Sequence, residues 1–202
     1  MSNFFSRRRM SFSTDLTEAA LAQACAARKR RAQEELYTRY AGALMAICLR
    51  YLGNKTEAED MLQDAFLHIF DCIDKFQYQK SGSLGNWLKQ VTRNECLQYL
   101  RRQKKWVIDS LEDDFNILQD LEEEYTDSSV INQMSVTELI DLISELPDGY
   151  RTVINLVLLD GCSHREAASM MGIQEKTSSS QLLRAKSALA KKINHYIEEK
   201  EL

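Results

Sequence analysis

Four polar side chains in the stretch SLGNWLKQVTRNECLQYLRRQKKW (83–106) fall on one side of a helix. They are Gln90, Asn94, Arg101 and Lys105, at spacings of four, seven and four. Arg93 and Lys104 border that side, and Arg101, Arg102, Lys104 and Lys105 crowd its end with Trp106 behind them. Amides both donate and accept, whereas guanidinium and ammonium groups only donate, and do so best to anions. Such a set, on a helix with one apolar face, suits lying on a core and facing an anion. A surface helix carrying cations at its C-terminus, where the macrodipole favours them, has the same residue types. The surroundings must decide.

Two other polar sets stand at helical spacing. Asp60, Gln63, Asp64, Leu67 and His68 lie away from the apolar positions Met61, Leu62, Ala65, Phe66, Ile69, Phe70 and Ile73. Taken alone, these carboxylates read as solvated and favourable to a helix N-terminus. His68 has no partner at metal-ligand spacing and receives no catalytic role. Near the C-terminus, Glu175, Lys176, Thr177, Ser178, Ser179, Ser180 and Gln181, with Arg184 and Lys186 a turn on, combine small hydroxyls, an amide and cations. Those types suit phosphates and base edges.

The exclusions are as informative. Cys25, Cys48, Cys72, Cys96 and Cys162 stand singly, never as CxxC, and most have apolar helical neighbours. They read as small buried hydrophobes, with no zinc site or disulfide framework. The sequence offers no metal set, nucleophile–base pair or phosphate loop. No catalytic residue, cofactor or small-molecule substrate is therefore expected. No segment approaches the roughly 18 apolar residues of a membrane span, so no membrane insertion and a reducing cytoplasmic setting are expected. The opening MSNFFSRRRMSFS has clustered arginines but no apolar run after them, and reads as a flexible tail.

The elements that must position these sets are helices. One proline and seven glycines in 202 residues, 44% hydrophobic content and little β-branched alternation predict an all-α chain. A first helix is expected from Thr14 to Arg31, capped by Thr14 or Asp15, continuing or restarting into 34–52. That second run buries Leu36, Tyr40, Leu44, Ile47 and Tyr51 and ends at Gly53-Asn54. Thr56 with Glu59 reads as a capping box opening a helix to Lys75. A polar loop, FQYQKSGSLG, precedes the helix at 83–106, whose apolar side is Leu84, Trp87, Leu88, Val91 and Tyr99, interrupted by Glu95.

Charge divides the chain. Residues 1–105 carry 18 Lys and Arg against 11 Asp and Glu, residues 106–150 carry none against 13, and residues 151–202 carry 8 against 6. The acidic stretch repels itself and reads as a linker. Beyond it, a short helix stops at Leu146-Pro147, another runs from Asp148 to Asp160-Gly161, and Ser163-His164-Arg165-Glu166 is a second capping box. Gly172 then turns the chain into a last helix from about Gln174 to Glu198. This succession is a helix-turn-helix arrangement, with an ordinary helical hairpin as the alternative. The expected organisation is a tail (1–13), a helical domain (14–106), an acidic linker (107–134) and a second helical domain (135–202).

Two motifs in order exceed generic pattern. LYTRYAGALMAICLRYLGNKTEAEDMLQDAFLHIF followed by NWLKQVTRNECLQYLRRQKK resembles region 2 of bacterial sigma factors. LPDGYRTVINLVLLDGCSHREAASMMGIQEKTSSSQLLRAKSAL resembles their region 4, with no region 3 between. That combination resembles the extracytoplasmic-function (ECF) group. The resemblance implies that Glu59, Asp60, Gln63, Asp64 and Phe66 dock on the clamp helices of the largest polymerase subunit. It implies that Lys80, Ser81, Ser83, Asn86, Trp87, Gln90, Arg93 and Asn94 melt and read the −10 element, with Arg101, Arg102, Lys104 and Lys105 on phosphates. It assigns the −35 element to Lys176, Thr177, Ser178, Ser179, Ser180, Gln181 and Arg184. Core polymerase, promoter DNA and an anti-sigma factor, often membrane-bound, are the implied partners. The family often has Gly-Thr-Val-Lys-Ser-Arg at 176–181; two of its cations are Ser179 and Gln181 here, and Gln98 stands where aspartate is frequent. Base preference should differ accordingly. The other function class is a stand-alone helix-turn-helix regulator needing no polymerase.

Overall fold

The computed structural model describes residues 16–103 and 134–201. Among the described residues every regular element is helical. Helix α1 (Glu18–Ala26) is capped by Thr17, whose hydroxyl accepts from the Ala20 N–H at 3.3 Å. This cap lies downstream of the expected Thr14 or Asp15, and those two positions fall outside the described residues. The chain breaks before α2 (Arg30–Leu52), with Arg28 at a φ of 54°, so the restart alternative is the one observed.

Gly53 ends α2 in the left-handed region and its N–H bonds Leu49 O at 2.8 Å, the conformation glycine reaches without a Cβ penalty. Helix α3 (Lys55–Cys72) then starts earlier than expected. Its cap is Asn54, whose side-chain oxygen accepts from the N–H groups of Thr56 at 2.8 Å and Glu57 at 3.3 Å. The Thr56–Glu59 capping box is therefore corrected, because the helix starts at Lys55 with Asn54 as its cap, which places Thr56 inside the first turn. A 3₁₀ turn (Ile73–Lys75) closes α3, and a loop leads to α4 (Ser83–Arg102).

Helix α2 is the spine of the first domain, packed by α1, α3 and α4. Its Leu36, Leu44, Cys48 and Tyr51 are fully buried, as are Ala58, Ala65 and Ile69 of α3 and Leu84, Leu88, Cys96 and Leu100 of α4. A fully buried side chain of leucine size contributes roughly 1.5–3 kcal/mol. Thr92 is buried too, and donates its hydroxyl to Leu88 O at 3.0 Å. Burial pushes the Cys25 thiol up to about 11, which keeps it a protonated core side chain.

In the second domain, α5 (Val136–Ser144) begins with a capping box of Ser135 and Glu138, which the sequence reading did not identify. Helix α6 (Asp148–Ile154) widens into a π segment (Asn155–Leu159) before Asp160. The helix-turn-helix follows. Helix α7 (His164–Met171) has the expected Ser163–Glu166 capping box, Gly172 turns at a φ of 72°, and α8 (Glu175–Glu201) packs on α5, α6 and α7. The end of α2 packs on α5 and α6, which brings the two domains together.

Candidate nucleic-acid interface

The start of α4 is built by a carboxylate from α1. Gly82 offers no side-chain cap, and Glu18 Oε2 accepts instead from the N–H of Gly82 at 2.8 Å and of Leu84 at 3.3 Å. The Glu18 Oε1 atom accepts from Tyr40 OH at 3.2 Å. An anion at a helix N-terminus meets unpaired N–H groups and the positive dipole end. Glu18 thereby fixes the loop bearing Lys80 and Ser81, both exposed. Ser83 Oγ accepts from Gln79 N at 3.4 Å.

Along α4, Asn86, Lys89, Gln90 and Asn94 are exposed. Trp87 is half-buried and packs on Phe76 with ring centroids 5.6 Å apart, an aromatic pair that fixes the loop against the helix. Arg93 is less available. Its Nη1 lies 3.6 Å from Asp160 Oδ2, with both side chains 17% exposed. Arg101 and Arg102 are exposed at the end of the helix. Arg101 donates to Met170 O of the second domain, and Arg102 to Gln98 Oε1 at 3.3 Å. Lys104, Lys105 and Trp106 lie outside the described residues.

Helix α3 presents Glu59, Asp60, Gln63 and Asp64 to solvent, with Leu67 65% exposed beside them. Phe66 is different. It is 4% exposed and packs on Tyr37 at 4.7 Å and Phe70 at 5.9 Å between ring centroids. Its helical phase, two positions past the exposed Asp64, turns the ring to the core. His68 Nδ1 meets Glu95 Oε1 at 2.5 Å and ties α3 to α4.

On α8 the expected polar set divides by helical phase. Lys176 and Ser179 are exposed, while Thr177, Ser180 and Arg184 are half-buried. Ser178 is fully buried, with its hydroxyl 3.1 Å from His164 Nδ1 across the turn, and Gln181 is 5% exposed. Burial in this arrangement turns Ser178 and Gln181 away from any ligand of the outer face. Among the described residues no group of three or more His, Cys, Asp and Glu side chains could hold a metal ion, and no helix is long and apolar enough to cross a membrane.

Residues 36–105 match the family model described as Sigma-70 region 2, and residues 137–189 match Sigma-70, region 4. The chain is 31% identical to the ECF RNA polymerase sigma factor SigM of Bacillus subtilis over 159 residues, covering 77% of this chain and 91% of that protein. The chain belongs to the ECF RNA polymerase sigma factors. It is also 25% identical to the sigma-E factor of Escherichia coli over 191 residues, covering 92% and 98% of the two chains. Among solved structures it is similar to RpoE of Bartonella quintana in complex with the anti-sigma factor NepR, at 20% identity and a TM-score of 0.47, covering 80% and 96%.

The matched segments of this sigma factor run from within α2 past the end of α4 and from α5 into α8, and leave the acidic stretch between them. Sequence reasoning missed Glu18, which lies outside both matches and 64 residues from Gly82. It also missed Lys89, which shares a cleft wall with Asn86, Gln90 and Arg93. Lys89 is three residues after Asn86 on a helix, so spacing alone would have found it.

Proposed function

We propose that this sigma factor binds core RNA polymerase and directs initiation at specific promoters. The exposed side chains Glu59, Asp60, Gln63 and Asp64 of α3 would meet the clamp helices of the largest subunit, with Phe66 supporting that face from the core. The loop residues Lys80, Ser81 and Ser83 and the helical residues Asn86, Gln90, Arg93 and Asn94 would receive unpaired bases of the −10 element. Trp87 would hold the loop against α4. Capturing a base out of the stack costs a few kcal/mol, which amide hydrogen bonds and nearby cations offset. Arg101 and Arg102 would neutralise phosphates, supplying affinity without sequence preference.

On the −35 element, the outward residues Lys176 and Ser179 would lead, joined by Thr177, Ser180 and Arg184. Ser178 and Gln181 would set the seating of α8 rather than touch bases. The factor performs no catalysis in this reading; the polymerase does. By family, an anti-sigma factor is a proposed partner.

One observation carries the proposal: the two matched sigma segments fall, in order, on two helical domains, with Glu59, Asp60, Gln63, Asp64, Asn86, Gln90, Asn94, Lys176 and Ser179 exposed. The test adds purified protein to core polymerase with a promoter library. Promoter-specific transcripts are the expected result. Binding to operators as a dimer, with no transcript from any promoter, would establish the stand-alone regulator instead.

A further inference from the structure

Arg28, Lys29, Arg30 and Arg31 stand where α1 gives way to α2. All four are exposed, and the proposed function uses none of them. Their place is fixed. Arg28 takes the left-handed conformation, its N–H bonds Cys25 O at 2.8 Å, and the Lys29 N–H bonds Ala24 O at 3.1 Å. These are the paired bonds of a Schellman turn.

The helices themselves account for half of the cluster. Arg28 and Lys29 follow the C-terminus of α1, where the macrodipole favours cations. Arg30 and Arg31 open α2, where it disfavours them, and the first turn of α2 holds no acidic residue. Arg28 lies 3.8 Å from Asp71 and Arg30 3.0 Å from Glu34, with side chains 61% to 83% exposed. Exposed pairs of this kind contribute little and exchange readily for another anion. The cations at the start of α2 therefore gain from an anion outside the chain.

The −10 loop leads to this corner. Its end is tied to the start of α1, since Glu18 accepts from the Gly82 N–H. Its beginning follows the 3₁₀ turn, which packs on α1, and Arg28 reaches Asp71 two residues before that turn. The loop therefore runs the length of α1, nine residues or roughly 14 Å at 1.5 Å per residue. That span matches about four nucleotides at ~3.4 Å each. Within it Tyr78 is 49% exposed, unlike Phe76, which is seated on Trp87. Lys80 is exposed on one side of Tyr78 in the chain. On the other side Lys75 is accompanied by the exposed Asp71 and Asp74, so the positive charge gathers at the two ends, Lys80 and the corner. An exposed aromatic ring between cations suits an unpaired strand, because any base can stack on the ring while phosphates meet the cations.

We propose that Tyr78 and the corner Arg28–Arg31 form a sequence-tolerant track for single-stranded DNA, continuous with the −10 loop, on which the unpaired strand lies where it leaves the −10 element. Tyr78 stacks one base, and Lys80 and the corner hold phosphates on either side of it. The link to the −10 element rests on the proposed function; the affinity for single strands rests on the loop and the corner alone.

The test uses the full chain and a fluorescent pool of random single strands of about 16 nucleotides, the upper end of single-strand site sizes. Read by anisotropy, Tyr78→Ala should weaken binding about fivefold or more, the loss of one stacked base, with the salt slope unchanged. Arg30→Ala with Arg31→Ala should reduce the slope of log affinity against log salt by about 1.4, ~0.7 for each phosphate. Circular dichroism checks that each variant keeps its helices. On wild type, the same pool carrying 5-iodouracil should photocrosslink to the peptide that holds Tyr78. Wild-type crosslinks confined to α4 overturn the track, whether or not a variant folds, and so do folded variants that bind like wild type. Equal losses on duplex DNA of the same length would mark a general phosphate patch and overturn it as well. Variants that keep their DNA affinity but lose core polymerase in a pull-down would give the corner to a protein partner, which also overturns it. Transcripts from the promoter library report separately on the function: without them, a Tyr78 crosslink leaves the track standing and removes only its link to the −10 element.

Discussion

Arg101 and Arg102 end α4 exposed, and in the proposed function they act on DNA through charge rather than shape. Replacing both by alanine should reduce open-complex formation more than association with core polymerase. The salt dependence of promoter binding should flatten by about one unit of slope for each phosphate no longer neutralised. A pull-down beside an open-complex assay at several salt concentrations measures both, and equal losses would refute the assignment. Gln181 and Ser179 lead to opposite expectations although the sequence shows both where the family often has cations. Gln181 is buried with its side-chain oxygen unpartnered, so Gln181→Ala should leave −35 preference unchanged. Ser179 is exposed, so Ser179→Lys should raise affinity for −35 duplexes several-fold and steepen the salt dependence, read by anisotropy on a promoter panel. Residue type was legible at these positions. Orientation was not, because a polar run of six around a helix occupies every phase, and packing against α7 chooses which side faces in.

At the scale of elements, helix existence followed from apolar periodicity, while the ends depended on competition between neighbouring caps. Asn54 displaced Thr56 because its side chain takes the N–H groups of Thr56 and Glu57, which starts the helix at Lys55 and leaves Thr56 within it. The start of α4 could not be read from its own sequence, since its anion comes from α1. Glu18→Gln should therefore act at a distance. It should cost about 1 kcal/mol in urea unfolding, the scale of a lost N-cap, and slow promoter melting while core binding holds. Helix α5 gives a pH expectation. Glu138 is held well below its ordinary value of 4.5 by hydrogen bonds from Lys200, Tyr196 and Ser135, largest first. A carboxylate depressed in the folded state adds stability that is complete above its unfolded pKa and drains as pH falls through the folded one. The end of α8 should therefore loosen on acidification below about 4.5. Hydrogen exchange along residues 192–200 would record it, and Glu138→Gln should remove the pH dependence.

For the whole molecule, the two domains and the charge break between them were legible because composition changes sharply at 106 and 150. The packing of one domain on the other was not, because it depends on backbone carbonyls, which no side-chain pattern announces. Arg151 is the residue through which that packing becomes cooperative. It joins Ser144 O and Leu146 O of its own domain to Tyr51 O and Leu52 O of the other. Burial pulls its pKa down, and the Asp148 carboxylate works against that shift. A planar guanidinium can span four carbonyls and a carboxylate; an ammonium with three donors cannot. Arg151→Lys should consequently leave a buried charge and several carbonyls unmatched, costing about 3 kcal/mol or more. The loss falls on the second domain and on the coupling, whereas the core around α2 keeps its own packing. Calorimetry should show one transition for wild type and two for Arg151→Lys, the lower belonging to the second domain. A single transition merely shifted down would mean that the domains remain coupled through the contacts of Asp160, Asn155 and Arg101, and Asp160→Asn added to Arg151→Lys should then weaken that coupling further.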